Sequence, residues 1–175
     1  MQGIDSTDAH SALSDSIMTA KVLNIVKKKQ PETWESFFKT ANKSDTETII
    51  KKGEIITLNE YYYGKSRLHL VAPLHQKYCM HPIYAGWYYA FDLRIDIEPL
   101  LNLSINELKV EMKKSPKFLR TIRSNKAPII VDAKYGMKAE PYSAMDKSLI
   151  NKRADIVKNN EKFSQNILHL SLIHI

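Results

Sequence analysis

The stretch Trp87-Tyr88-Tyr89-Ala90-Phe91-Asp92-Leu93-Arg94-Ile95-Asp96 decides the fold class. Trp87, Tyr89, Phe91, Leu93 and Ile95 alternate with Tyr88, Ala90, Asp92, Arg94 and Asp96, the period of two expected of a half-buried strand. Residues 53–58 and 66–72 also read as extended, and residues 127–133 predict a further strand before Tyr135-Gly136. Ser104-Ile105-Asn106-Glu107 is a capping box that opens a short helix to about Lys114. Strands with one inserted helix predict a small barrel-like β domain.

Helices are expected on both sides of it. Residues 9–29 read as one helix, with Asp5 or Ser6 as cap, Asp8 at the positive end of the dipole and Lys27, Lys28 and Lys29 at the negative end. Leu13, Ile17, Met18, Val22, Leu23, Ile25 and Val26 occupy more than one face of it, so burial on most sides is expected. Pro31 ends the helix, because the residue before a proline avoids the helical region. A short helix over 33–39 carries Trp34, Phe37 and Phe38 and reads as a linker clamped to a neighbouring surface. Residues 143–166 are polar with spaced apolar positions and predict two short helices. The fold class is therefore α+β.

Composition sets the outer bounds. The chain has 175 residues, 43% hydrophobic and 26% charged, the balance of a soluble globular protein. No apolar run approaches the roughly 20 residues of a membrane span, and no signal peptide is visible. The single Cys79 excludes an internal disulfide and suits a reducing, cytoplasmic setting. A net charge of +7 favours an anionic partner. The cations cluster at Lys27–Lys29, Lys51-Lys52 and the run from Lys113 to Arg123. That run reads either as a dock for DNA or an acidic peptide, or as a solvated basic loop.

Several pieces in order carry a resemblance. They are Gly3-Ile4-Asp5 before Ala9-His10-Ser11-Ala12-Leu13-Ser14-Asp15, then Lys29-Gln30-Pro31 and Val71-Ala72-Pro73-Leu74. Asp92-Leu93 with Ile97-Glu98-Pro99-Leu100-Leu101 follows, then Asn125-Lys126-Ala127-Pro128. From about Gly3 to Asn166 the chain resembles bacterial exonuclease I, the single-strand-specific 3′→5′ exodeoxyribonuclease of the DEDD type with histidine. Two positions depart from the pattern: Leu70 stands where relatives can carry Trp, and Ala127 replaces an expected Cys.

The resemblance implies an RNase H-like exonuclease domain, an SH3-like β barrel and a helical C-terminal domain. It places residues 1–30 as the last exonuclease helix, 31–45 as a helical linker, 46–135 as the SH3-like part and 136–169 as the start of the helical domain. It also implies a two-metal Mg2+ site with Asp15 as a metal ligand, and His10 taking the proton from the attacking water. Histidine suits that task because its pKa lies near operating pH. Positions five apart on an ideal helix point about 140° from one another. Both can face one metal pair only if His10 sits in an irregular first turn.

The upstream carboxylates of such a site are absent from this sequence, so an internal fragment is expected, inactive as a nuclease when isolated. Residues 170–175, Leu-Ser-Leu-Ile-His-Ile, match the translation of a transposon end and are expected to be adapter-derived. Tyr61-Tyr62-Tyr63-Gly64-Lys65-Ser66-Arg67 interleaves aromatics with cations, as single-stranded DNA binders do. Tyr62, Lys65 and Arg67 are the candidate contacts; the other reading has the tyrosines packing on the barrel. His75, Cys79 and His81 lack the fourth ligand of a structural zinc site. Single-stranded DNA is the expected partner, with the tail of single-strand DNA-binding protein as a second, and the chain is expected to be a monomer. The alternative function is a non-catalytic module that binds single-stranded DNA or protein.

Overall fold

The computed structural model describes residues 11–173. Three helices open the chain: α1 Ala12–Lys29, α2 Pro31–Lys39 and α3 Lys43–Lys51. The cap of α1 is Ser11, whose hydroxyl accepts from Ser14 N–H at 3.1 Å. The expected caps Asp5 and Ser6, with Asp8, lie outside the described residues. Pro31 does end α1, and then starts α2 at its first position, where a missing N–H costs nothing. Helix α3 was not expected. Its sequence Lys-Ser-Asp-Thr-Glu-Thr-Ile-Ile-Lys is mostly polar, and Asn42 caps it by accepting from Asp45 N–H.

Five strands follow: β1 Ile56–Tyr62, β2 Lys65–Pro73, β3 Trp87–Asp92, β4 Leu119–Arg123 and β5 Ile129–Asp132. They form one antiparallel sheet in the order β4-β3-β2-β1-β5. Two-residue turn geometry joins β1 to β2: Tyr63 and Gly64 both take positive φ, 50° and 75°, as a twisted hairpin needs. Strand β4 lies inside the basic run, so at least its second half is not a loop.

The sheet is strongly bent, and the connection between its two edges requires this. Arg123 ends β4 and Ile129 begins β5, so residues 124–128 must join opposite edges. Laid flat, the registers would place those two ends roughly 27 Å apart along the strands and about 19 Å across them. The link reaches roughly 20 Å at full extension. Its turn at Ser124–Lys126 shortens that reach further.

The bend and the surrounding helices bury β3 on both faces, which corrects the half-buried expectation. Tyr88, Ala90 and Asp92 on one face and Tyr89 and Phe91 on the other are all buried. The strand also stops at Asp92 rather than Asp96. Five helices pack around the sheet: α4 Glu98–Leu101, α5 Ile105–Glu111, α6 Ala133–Gly136 and the pair α7 Lys147–Asn159 with α8 Glu161–Ile173 behind them. The capping box at Ser104 and Glu107 is formed. Phe163 of α8 meets Phe91 and Phe118 in one aromatic cluster, and Leu170 is buried beside it in the core. Among the described residues no helix is long and apolar enough to cross a membrane.

Candidate nucleic-acid interface

Asp15 sits in the first turn of α1, exposed. Its amide donates to Ser11 O, and its carbonyl accepts from the Thr19 hydroxyl. Its carboxylate has no hydrogen bond or ion pair among the described residues. Helix α1 buries none of its residues, against the expectation of burial on most sides. Leu13 is 72% exposed and Ile17 46%. Its main packing partner is α2, which in turn lies on β5. His10 lies outside the described residues. No group of three or more His, Cys, Asp or Glu side chains among the described residues could hold a metal ion.

The hairpin candidates are brought together. Tyr62 is directly opposite Lys65, and Glu60 opposite Arg67. Positions two apart share a face, so Tyr62, Lys65 and Arg67 form one aromatic-basic patch on the same face of the hairpin. All three are exposed. Burial and the Glu60 carboxylate hold the Tyr62 phenol above its ordinary pKa, with the charges of Arg120 and Arg123 opposing them.

The same face carries a buried ionic hub that sequence reading missed. Asp92 has 0% exposure. Its Oδ2 lies 3.2 Å from His69 Nδ1, 3.1 Å from Arg94 and 3.1 Å from Arg120 Nη2. The Tyr142 hydroxyl donates to Oδ1. Arg120 Nη1 also donates to Glu60 at 3.0 Å, tying β4 to β1 across the bend. His69 Nε2 is 3.4 Å from Glu60 but out of hydrogen-bond alignment. Burial alone would raise the Asp92 pKa; the bonds from His69 and Tyr142 and the charges of Arg94 and Arg120 overcome it and hold the carboxyl below its ordinary value. The available signal was a carboxylate amid a run of strand aromatics, with arginines at alternating positions nearby.

His75, Cys79 and His81 do ordinary work. His81 Nδ1 accepts from the amides of Ile83 and Tyr84, and the buried Cys79 thiol donates to Gln76 O. Burial pushes that thiol's pKa up. Leu70, one of the departures, is fully buried.

No protein-family profile matches the chain. Two curated relatives do, as the resemblance implied. The chain is 27% identical over 175 aligned positions to exodeoxyribonuclease I of Buchnera aphidicola, covering 91% of this chain and 40% of the relative. It is 29% identical over 147 positions to exodeoxyribonuclease I of Haemophilus influenzae, covering 75% and 30%. The chain thus spans well under half the length of these relatives. Among solved structures, an ExoI/SSB-Ct complex superposes with a TM-score of 0.69 at 20% identity, over 96% of this chain and 38% of that one. A zinc-ion-bound E. coli ExoI–ssDNA complex gives 0.66 at 20% identity over the same shares. The α+β fold with its five-stranded sheet is shared with these structures.

Proposed function

From its similarity to exodeoxyribonuclease I, we propose that this chain is part of a Mg2+-dependent enzyme that hydrolyses single-stranded DNA from the 3′ end to mononucleotides in DNA repair and recombination. The observation that carries this reading is similarity across most of the chain, in sequence to two curated exodeoxyribonucleases I and in fold to solved ExoI structures. In it, residues 46–135 are an SH3-like β barrel; the bend forced by the short β4–β5 link supports that architecture. Residues 1–30 close an exonuclease domain, and residues 136–169 begin a helical one. Asp15 is a metal ligand and His10 takes the proton from the attacking water.

The described residues do not complete a metal site: Asp15 alone faces solvent, with no second carboxylate beside it. Phosphodiester hydrolysis with two metal ions needs several carboxylates to hold them. In this reading the isolated chain is a DNA-binding piece without turnover, cytoplasmic and monomeric. Its hairpin patch of Tyr62, Lys65 and Arg67 contacts the strand, and the tail of single-strand DNA-binding protein is a second partner.

A 5′-labelled single-stranded oligonucleotide with Mg2+ tests this, using this chain beside one extended upstream in its native reading frame. Digestion only by the extended protein, lost on Asp15→Asn, is expected. Digestion by the isolated chain would overturn the assignment of Asp15 to an incomplete site. No digestion by either would favour the non-catalytic binding module. In the isolated chain, Lys65→Ala with Arg67→Ala is expected to weaken oligonucleotide binding and flatten its salt dependence, by a slope of up to about 0.7 per lost phosphate contact.

A further inference from the structure

Around the β4 edge from the hairpin patch lies a second aromatic-basic feature that the reading above does not use. Trp87 and Arg123 are directly opposed across β3 and β4. The Arg123 guanidinium carbon stands 4.2 Å from the centroid of the Trp87 ring. On the indole's other contacts, Tyr84 lies 4.8 Å away and tilted, and Tyr84 in turn meets His81 at 4.7 Å. Arg123 is exposed, and among the described residues its guanidinium has no carboxylate partner.

The backbone beneath is built to hold this stack. Gly86 at φ 86° leads into Trp87, and its carbonyl accepts from both the amide and the hydroxyl of Ser124, at 2.8 and 3.1 Å. A Cβ on Gly86 would meet the Ser124 hydroxyl at 2.8 Å, so only glycine lets the loop approach the strand this closely. The clasp fixes Trp87 and Arg123 from the residues next to each. Lys43 reaches over Gly86 and adds a second cation, partly balanced by Glu47 at 3.7 Å.

An exposed planar cation held over an indole without a carboxylate partner offers two things at once. Its donor edge is free for a phosphate, and its outer face is free for a base. We infer that Arg123, set in place by Trp87, is a preformed contact point for one nucleotide of single-stranded DNA, taking a phosphate on its edge and a base on its face. The inference rests on the proposed DNA-binding reading and extends it to the opposite side of β4.

The test is fluorescence titration of the chain with an oligothymidylate, in a Trp34→Phe background so that Trp87 is the single indole reporter. Expected are a change in Trp87 emission on binding and a roughly tenfold loss of affinity in Arg123→Lys, which keeps the charge and loses the plane. An abasic oligomer of equal length is expected to erase the difference between the parent and Arg123→Lys. Tight binding with silent Trp87 emission, or Arg123→Lys binding as the parent does, would overturn this contact point and leave the hairpin reading standing. No binding of the oligothymidylate by the parent chain would overturn both.

Discussion

Helix α1 and strand β3 invert the usual rule about what goes inside. The helix leaves Leu13, Ile17, Val22 and Leu23 in solvent, while the strand hides a carboxylate completely. Apolar residues scattered on a surface are common and cost little. A buried charge is tolerated only when its partners are all present, and removing one of them is expensive. The sheet region therefore depends on a few polar contacts, and the helix depends on almost none within this chain.

The sharpest way to break that contrast is Asp92→Asn. It leaves Arg94 and Arg120 without their shared carboxylate and is expected to cost about 3–5 kcal/mol, read as a fall in the urea midpoint. A loss below about 1 kcal/mol would mean the hub matters no more than a surface pair. A second probe is Gly136→Ala. Its Cβ would meet the Thr57 hydroxyl at 2.6 Å and Leu70 at 3.0 Å, and overpacking of this kind is expected to cost about 1–3 kcal/mol in the same assay.

Acid sharpens the comparison further. The Asp92 carboxyl is held below its ordinary pKa when folded, so the folded state binds fewer protons than the unfolded one. The stability this contributes is fully present above about pH 4, the unfolded value, and is lost as pH falls through the folded pKa. Unfolding of the parent and of Asp92→Asn, followed from pH 6 to 2, is expected to show a steeper acid loss in the parent. The smallest effect is expected at the other pole: Ile17→Ser should shift stability by no more than about 0.5 kcal/mol. A larger drop would show that α1 is packed more firmly than its exposure indicates.

Legibility in the sequence followed the same division. Strand β3, the capping box and the helix pair α7–α8 were readable because local pattern and capping chemistry act within a few residues. The strands on either side of the Tyr61–Arg67 stretch were readable, but the extension of β1 to Tyr62 and its pairing with Lys65 were not. Strand β4 was hidden inside a basic run, and α3 inside a polar one, because their placement comes from tertiary partners rather than from their own periodicity. Asp92 looked like an outward position in an alternating strand. Only the bend of the sheet, with β1 and β4 brought to the same carboxylate, makes it an inward one. The clasp between Gly86 and Ser124 is equally non-local.

The short β4–β5 link has a consequence for how this protein meets other copies of itself. Open sheet margins are templates on which a second chain can add a strand. Here the link draws the two margins toward one another, and the β4 margin carries the exposed Arg123, whose charge opposes docking of an identical strand. The sheet thus presents little flat, neutral border for runaway self-association, whatever becomes of the apolar helix beside it.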